Sequence, residues 1–190
     1  LSSFCGLSDW VAKSARALWE LLPSRDQRLA DVCITLYGIE LDAKQFLVAG
    51  SFANHLVEMG REDGWDMWEN ALEQGGHDKE LIELWEKRAQ RSSFGSSSLW
   101  LRVAMAYKER TQWSEAARSL YKVEESERDK AWSLLAYDVG EHHSDFRLQS
   151  LSAQLQVTLC EDGELKALWL RRWARVLWRH FDGKEKASEL

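Results

Sequence analysis

The feature that most constrains this chain is its proline content, because its 190 residues include a single proline, Pro23. Proline inside a helix removes a backbone hydrogen bond and clashes with the preceding turn, so a chain almost without proline can form long helices. Apolar residues recur at helical spacing in about ten segments separated by short breaks. No alternating polar and apolar run bounded by turn residues competes with these segments. The pattern therefore predicts an all-α protein of antiparallel helix hairpins.

Capping and breaking residues give the expected limits of the first helices. Ser8 is a suitable N-cap for a first helix that ends at Leu22, just before the proline. A second helix is expected from Arg25 to a stop before Gly38, because glycine commonly follows the last residue of a helix.

The only low-complexity stretch, RSSFGSSS at residues 91–98, has the composition of a flexible connection. The domain prediction is one helical-repeat domain over 1–190. A subdivision into 1–91 and 98–181 is left open, and 182–190 is expected to be a flexible tail.

Charge and hydropathy narrow the classes of partner. The formal net charge is -6, and nucleic-acid binding depends on Lys and Arg neutralising phosphates, so no nucleic-acid partner is expected.

No run reaches the roughly 18 apolar residues of a transmembrane helix, and the start lacks the pattern of a signal peptide. Because the first residue is Leu1 and not methionine, we expect a piece of a longer protein from which a targeting signal or anchor could be missing. The expected location is cytoplasmic.

Three cysteines, Cys5, Cys33 and Cys160, are far apart in the sequence and form no CxxC pair. Each has apolar neighbours, so each is interpreted as a small buried residue and not as a disulfide or zinc partner. This pattern favours a reducing compartment.

Residues 100–123 read WLRVAMAYKERTQWSEAARSLYKV, which resembles the tetratricopeptide repeat. The repeat positions are held by Trp100, Val103, Ala104 and Tyr107 in the first helix and by Ala116 and Leu120 in the second. The first-helix pattern returns 32 residues later at Trp132, Leu135, Ala136 and Val139. The resemblance covers 98–139.

The resemblance implies a short α-solenoid of about ten helices, in which hairpins stack and a C-terminal helix caps the last one. It also implies a non-enzymatic scaffold or adaptor, part of a larger complex, whose groove binds a peptide or helix of another protein. The groove residues are expected mainly on the first helix of each hairpin. The candidates are Arg102, Met105, Lys108 and Glu109.

The last predicted helix carries four arginines on one sector, Arg171, Arg172, Arg175 and Arg179, called here the arginine stripe. Apolar residues from Leu165 to Phe181 occupy a separate arc. Two interpretations stay open. The stripe docks an anionic membrane or an acidic partner, or it is the solvated face of a capping helix.

No residues form a recognisable catalytic or metal-binding motif. His142 and His143 are adjacent in GEHHSD, but neighbouring histidines on a turn rarely bind one ion, and no HExxH or CxxC supports them. There is no GxSxG, P-loop or GxGxxG. We therefore expect no enzyme activity, no metal and no cofactor. The 11 tryptophans are interpreted as core residues, with groove contacts as the alternative for those outside the repeat.

Overall fold

The computed structural model describes residues 2–23, 26–92 and 95–180, with side chains from residue 10 onward. Over these ranges the chain forms ten α-helices and one 3-10 turn, Glu125–Glu127, and no strand. The prediction of an all-α fold is confirmed. The helices are α1 Ser2–Leu21, α2 Arg28–Asp42, α3 Phe46–Glu58, α4 Asp63–Gly75, α5 Asp78–Arg91, α6 Ser96–Glu109, α7 Trp113–Tyr121, α8 Lys130–His143, α9 Phe146–Leu159 and α10 Gly163–His180.

Two predicted helix limits were wrong. The first helix begins at Ser2, before the expected cap at Ser8, and α2 continues through Gly38 to Asp42. Glycine lowers helix stability by only about 1 kcal/mol relative to alanine, which packing can offset. Here Tyr37 before the glycine and Glu40 after it are both buried, so packing carries the helix past it. The expected tail at 182–190 lies outside the described residues.

The chain divides into two compact units, 1–84 and 85–190, and the division falls within α5. In the first unit α1, α2, α3 and α4 pack in succession, each against the next. In the second unit the same holds from α6 to α10. Packing of consecutive helices is the arrangement that a helical repeat requires. None of the described helices has both the length and the apolar composition needed to cross a membrane.

The first unit has an apolar core with aromatic edges. Cys33 and Leu56 are fully buried, and the ring of Trp19 lies edge-on to Phe52, with 5.1 Å between centroids. Burial raises the pKa of the Cys33 thiol to about 11, so it is protonated at neutral pH. Such a thiol behaves as a small apolar side chain, as the sequence predicted for this cysteine.

In the second unit the repeat residues form the core. Val103, Ala104, Ala116 and Leu120 are fully buried between packed helices α6 and α7. Trp132 is fully buried too, and its indole Nε1 donates to the carbonyl of Leu120 at 3.0 Å. This bond satisfies the one polar atom of a large core side chain.

Helices α8 and α9 meet through buried polar side chains. Gln149 Nε2 donates to the carbonyl of Gly140 at 2.8 Å, and Ser152 Oγ donates to the carbonyl of Ser133 at 2.6 Å. Gln156 Nε2 donates to Ser133 Oγ at 2.6 Å. All five residues are buried, so these bonds form in a medium where an unpaired polar group is costly.

Candidate functional site

A groove runs between α6 and α8, the first helices of two successive hairpins. Its cavity has a volume of about 390 Å³ and is lined by Leu101, Met105, Lys108, Glu109, Ala131, Leu134 and Leu135. This cavity is called the α6–α8 groove. Met105, Lys108 and Glu109 were predicted as groove residues from the sequence, and the structure places all three at this one cavity.

The floor of the α6–α8 groove is apolar and open to solvent. Met105 is 53% exposed and Leu134 is 48% exposed, while Leu101 and Leu135 are half-buried. Single exposed apolar side chains are ordinary, but several that converge on one concavity are typical of a binding site. Methionine also adapts its shape to different partners, because its side chain is unbranched and flexible.

An ion pair links the two helices beside the groove. Lys108 Nζ on α6 lies 2.5 Å from Asp138 Oδ2 on α8. His142, one turn further along α8, has Nδ1 at 2.9 Å from the carbonyl of Asp138, and its ring stacks on Trp113 of α7. Three helices therefore meet at Asp138 and His142, beside the groove.

Arg102, the fourth predicted groove residue, does not line the cavity. Its guanidinium lies over the ring of Trp85, 4.2 Å from the centroid. A cation at that distance is attracted to the ring face, so Arg102 packs toward α5 and away from α8. A role for Arg102 in partner binding stays a prediction.

The arginine stripe lies on α10, where Arg172 contacts α8. The Arg172 guanidinium is 4.6 Å from the ring centroid of Trp169 and 5.3 Å from that of Tyr137. Burial raises the pKa of Tyr137, and Arg172, Arg175 and Arg179 act against that increase. Three arginines of the stripe are therefore close enough to Tyr137 to act on its phenol.

The rest of the stripe is open. Arg171, Arg175 and Arg179 are exposed and make no ion pair with any residue in the described ranges. Arg172 is half-buried by its stacking. The stripe is thus positively charged and not neutralised by the part of the chain that the structure describes.

The apolar arc of α10 is mostly packed inward. Trp169, Val176 and Leu177 are buried, and Trp173 Nε1 donates to Ser150 Oγ of α9 at 3.0 Å. Leu165 is an exception in the first turn, where it is largely exposed. Phe181, which the sequence placed on the same arc, lies outside the described residues.

The adjacent histidines do not gather metal ligands around them. His142 is used in the contacts with Asp138 and Trp113, and His143 is exposed. Across residues 10–23, 26–92 and 95–180, no three His, Cys, Asp or Glu side chains come together in a metal-binding arrangement.

Sequence reasoning missed the residues that α8 contributes to the groove, which are Ala131, Leu134 and Leu135. The 32-residue repeat contained a signal for one of them, since the shift that relates Trp100 to Trp132 also relates Arg102 to Leu134. A repeat-by-repeat transfer of the predicted groove positions would have included Leu134. It could not have predicted the pairing of Asp138 with Lys108, which depends on how the two helices are offset.

Comparison with known proteins does not extend this picture. The sequence matches no protein-family model, and no curated protein is similar enough to it to count as a relative.

Proposed function

We propose that this protein is a non-enzymatic scaffold or adaptor that binds a segment of a partner protein in the α6–α8 groove. The observation that carries the proposal is the convergence of exposed Met105 and Leu134 on a single cavity. A partner that buried both side chains would gain about 25 cal/mol of free energy for each Å² of apolar surface removed from water. The ion pair of Lys108 with Asp138 links α6 and α8 beside these side chains.

The tetratricopeptide resemblance of residues 98–139 supports the same proposal. In that family the first helices of successive hairpins form a concave binding surface, and here the groove lies between two such helices, α6 and α8. We also propose a cytoplasmic location, on the ground that Cys33 and Cys160 are both free thiols.

Selection from a random library of displayed 16-residue peptides tests the groove. The chain is immobilised, peptides are selected, and their affinities are measured for Leu134→Glu and for Leu159→Glu. Leu159 is a matched control because it is an exposed leucine on α9, at 44% against 48%, and does not line the groove.

Peptides selected on the unsubstituted chain should bind Leu134→Glu about tenfold more weakly or worse, because a buried charge replaces an apolar contact. They should bind Leu159→Glu with unchanged affinity, and circular dichroism should show both variants folded. Failure to select any peptide, or equal loss in the two variants, contradicts the proposal.

A further inference from the structure

The α6–α8 groove and the arginine stripe border the same helix, α8. On one side Leu134 and Leu135 line the groove. On the other, the ring of Tyr137 lies 5.2 Å from that of Trp169 and is covered by the guanidinium of Arg172. Because α8 separates the two features by only its own width, a bound segment that leaves the groove across α8 reaches the stripe.

We infer that the partner segment is an acidic peptide whose carboxylates bind the arginine stripe while an apolar side chain occupies the α6–α8 groove. This inference rests on the proposed function. It adds the chemistry of the partner, and it gives Arg175 and Arg179 a role in the specificity for acidic peptides.

Charge complementarity is the first reason. Arg171, Arg175 and Arg179 are exposed, and within the described ranges no carboxylate pairs with them. Among the described residues, Glu141 of α8 is the carboxylate that acts on the Tyr137 phenol, in the opposite sense to Arg172, Arg175 and Arg179. Three guanidinium groups against this carboxylate make the described surface around Tyr137 positive, although the net charge of the chain is -6. Arginine binds carboxylate with two parallel hydrogen bonds, so this surface favours Asp and Glu side chains.

The packing of α10 favours a protein partner over a lipid surface. A helix that lies in a membrane interface inserts a broad apolar face into the lipid. In α10 most of that face is already used, since Trp169, Val176 and Leu177 are buried in the fold. The large apolar side chains of α10 that stay exposed, Leu165, Leu168 and Trp178, lie between and beside the arginines and form no separate apolar face for insertion.

Geometry adds a spacing rule. An α-helix with its side chains is about 10–12 Å across, so a segment that runs from the groove over α8 to the stripe covers roughly 15 Å. An extended chain advances about 3.3 Å per residue. The carboxylates should therefore stand about four to five residues from the apolar side chain that fills the groove.

The displayed peptide library tests the inference when selection is run in parallel on the unsubstituted chain, on Arg175→Glu/Arg179→Glu, and on Lys166→Glu. The double variant spares Arg172, which packs on Tyr137 and Trp169. Lys166 is the control, being an exposed cation of α10 outside the stripe.

Peptides from the unsubstituted chain and from Lys166→Glu should be enriched in Asp and Glu at the stated spacing from an apolar residue. Those from the double variant should lose that enrichment or favour Lys and Arg. In fluorescence anisotropy at low salt, a selected acidic peptide should bind about tenfold more tightly than its Gln-substituted version. The double variant should remove this difference, and added salt should shrink it.

Two results overturn the inference: selected peptides without acidic enrichment, or an acidic preference that persists in the double variant. If such peptides still lose affinity for Leu134→Glu, the proposed groove function stands and only the acidic preference fails. Sedimentation with phosphatidylserine vesicles is run alongside. Vesicle binding that depends on Arg175 and Arg179, with no acidic preference among peptides, assigns the stripe to lipid and also overturns the inference.

Discussion

The hairpins α3–α4 and α8–α9 both bring two helices close together at a glycine, but they hold that contact in different ways. A Cβ on Gly64 of α4 would lie 2.8 Å from the backbone nitrogen of Val57 and 2.9 Å from the carbonyl oxygen of Ala53, both in α3. A Cβ on Gly140 of α8 would lie 2.9 Å from Cγ of Gln149, 3.0 Å from the carbonyl oxygen of Asp145 and 3.1 Å from the backbone nitrogen of Gln149. The side-chain amide of Gln149 also donates to the Gly140 carbonyl. The first contact is steric, whereas the second combines close approach with hydrogen bonds. Two helix pairs with similar outlines can therefore depend on different forces, and substitutions should separate them.

The largest effect is expected for Gly64→Ala. Backbone atoms cannot move aside as a flexible side chain can, so the added methyl forces α3 and α4 apart, at a cost of about 2–3 kcal/mol in the free energy of unfolding. Urea unfolding followed by circular dichroism measures this change. Gly38→Ala is the matched control, since a Cβ there meets nothing within 4 Å. It should stabilise the protein by about 0.5–1 kcal/mol through helix propensity alone. Two changes of the same sign would contradict the steric explanation.

A smaller loss is expected for Gln156→Leu in the polar interface of α8 and α9. The substitution keeps the size of the side chain but removes the donor to Ser133 Oγ, and we expect a loss of about 1.5 kcal/mol. Removing both partners in Ser133→Ala/Gln156→Leu should recover part of that loss, because no buried polar group is then left unpaired. A double-mutant cycle from urea unfolding measures the coupling. Additive losses from the two single changes would mean that packing, and not the hydrogen bond, fixes this interface.

These contrasts explain how far the sequence could predict the fold. The sequence predicted the helices and their order from three features: the helical period, the single proline, and the spacing of Trp100 and Trp132. This was possible because the buried face of a helix shows in the sequence as apolar residues at helical spacing. The continuation of α2 through Gly38 was missed, since it depends on tertiary burial of Tyr37 and Glu40. The steric role of Gly64 was also hidden, because it is set by the distance to another helix.

The candidate site was predicted less completely than the fold. The repeat pattern assigns Met105, Lys108 and Glu109 to positions within α6, and all three line the α6–α8 groove. That they bind a partner stays a prediction. The sequence did not predict that Arg102 stacks on Trp85, or that Arg172 contacts Tyr137 and so links α10 to α8. Both are contacts between helices. They depend on how each helix is rotated about its axis and how far neighbouring helices are offset, and the residue pattern of a single helix does not determine either.

The smallest expected effect tests whether polar contacts extend from the α8–α9 interface to the turn that joins the two helices. Tyr121 of α7 donates its phenol proton to the carboxylate of Asp145, with oxygens 2.9 Å apart, and Asp145 also accepts from the backbone nitrogen of Leu148 at the start of α9. Burial, together with this hydrogen bond, raises the pKa of Tyr121 to about 12. The unfolded phenol titrates near 10.

Because the folded pKa is the higher one, the stabilisation from Tyr121 is fully present below pH 10 and is lost as the pH rises toward 12. Between pH 9 and pH 11 the unsubstituted chain should lose about 0.5–1 kcal/mol more stability than Tyr121→Phe, a value reduced for partial exposure of the ring. Urea unfolding at the two pH values measures the difference. Because the chain has four tyrosines, the titration of Tyr121 is the difference in absorbance at 295 nm between the unsubstituted chain and Tyr121→Phe. Equal losses in the two proteins, or a Tyr121 phenol that titrates near pH 10 in the folded chain, would show that the bond to Asp145 does not hold this turn.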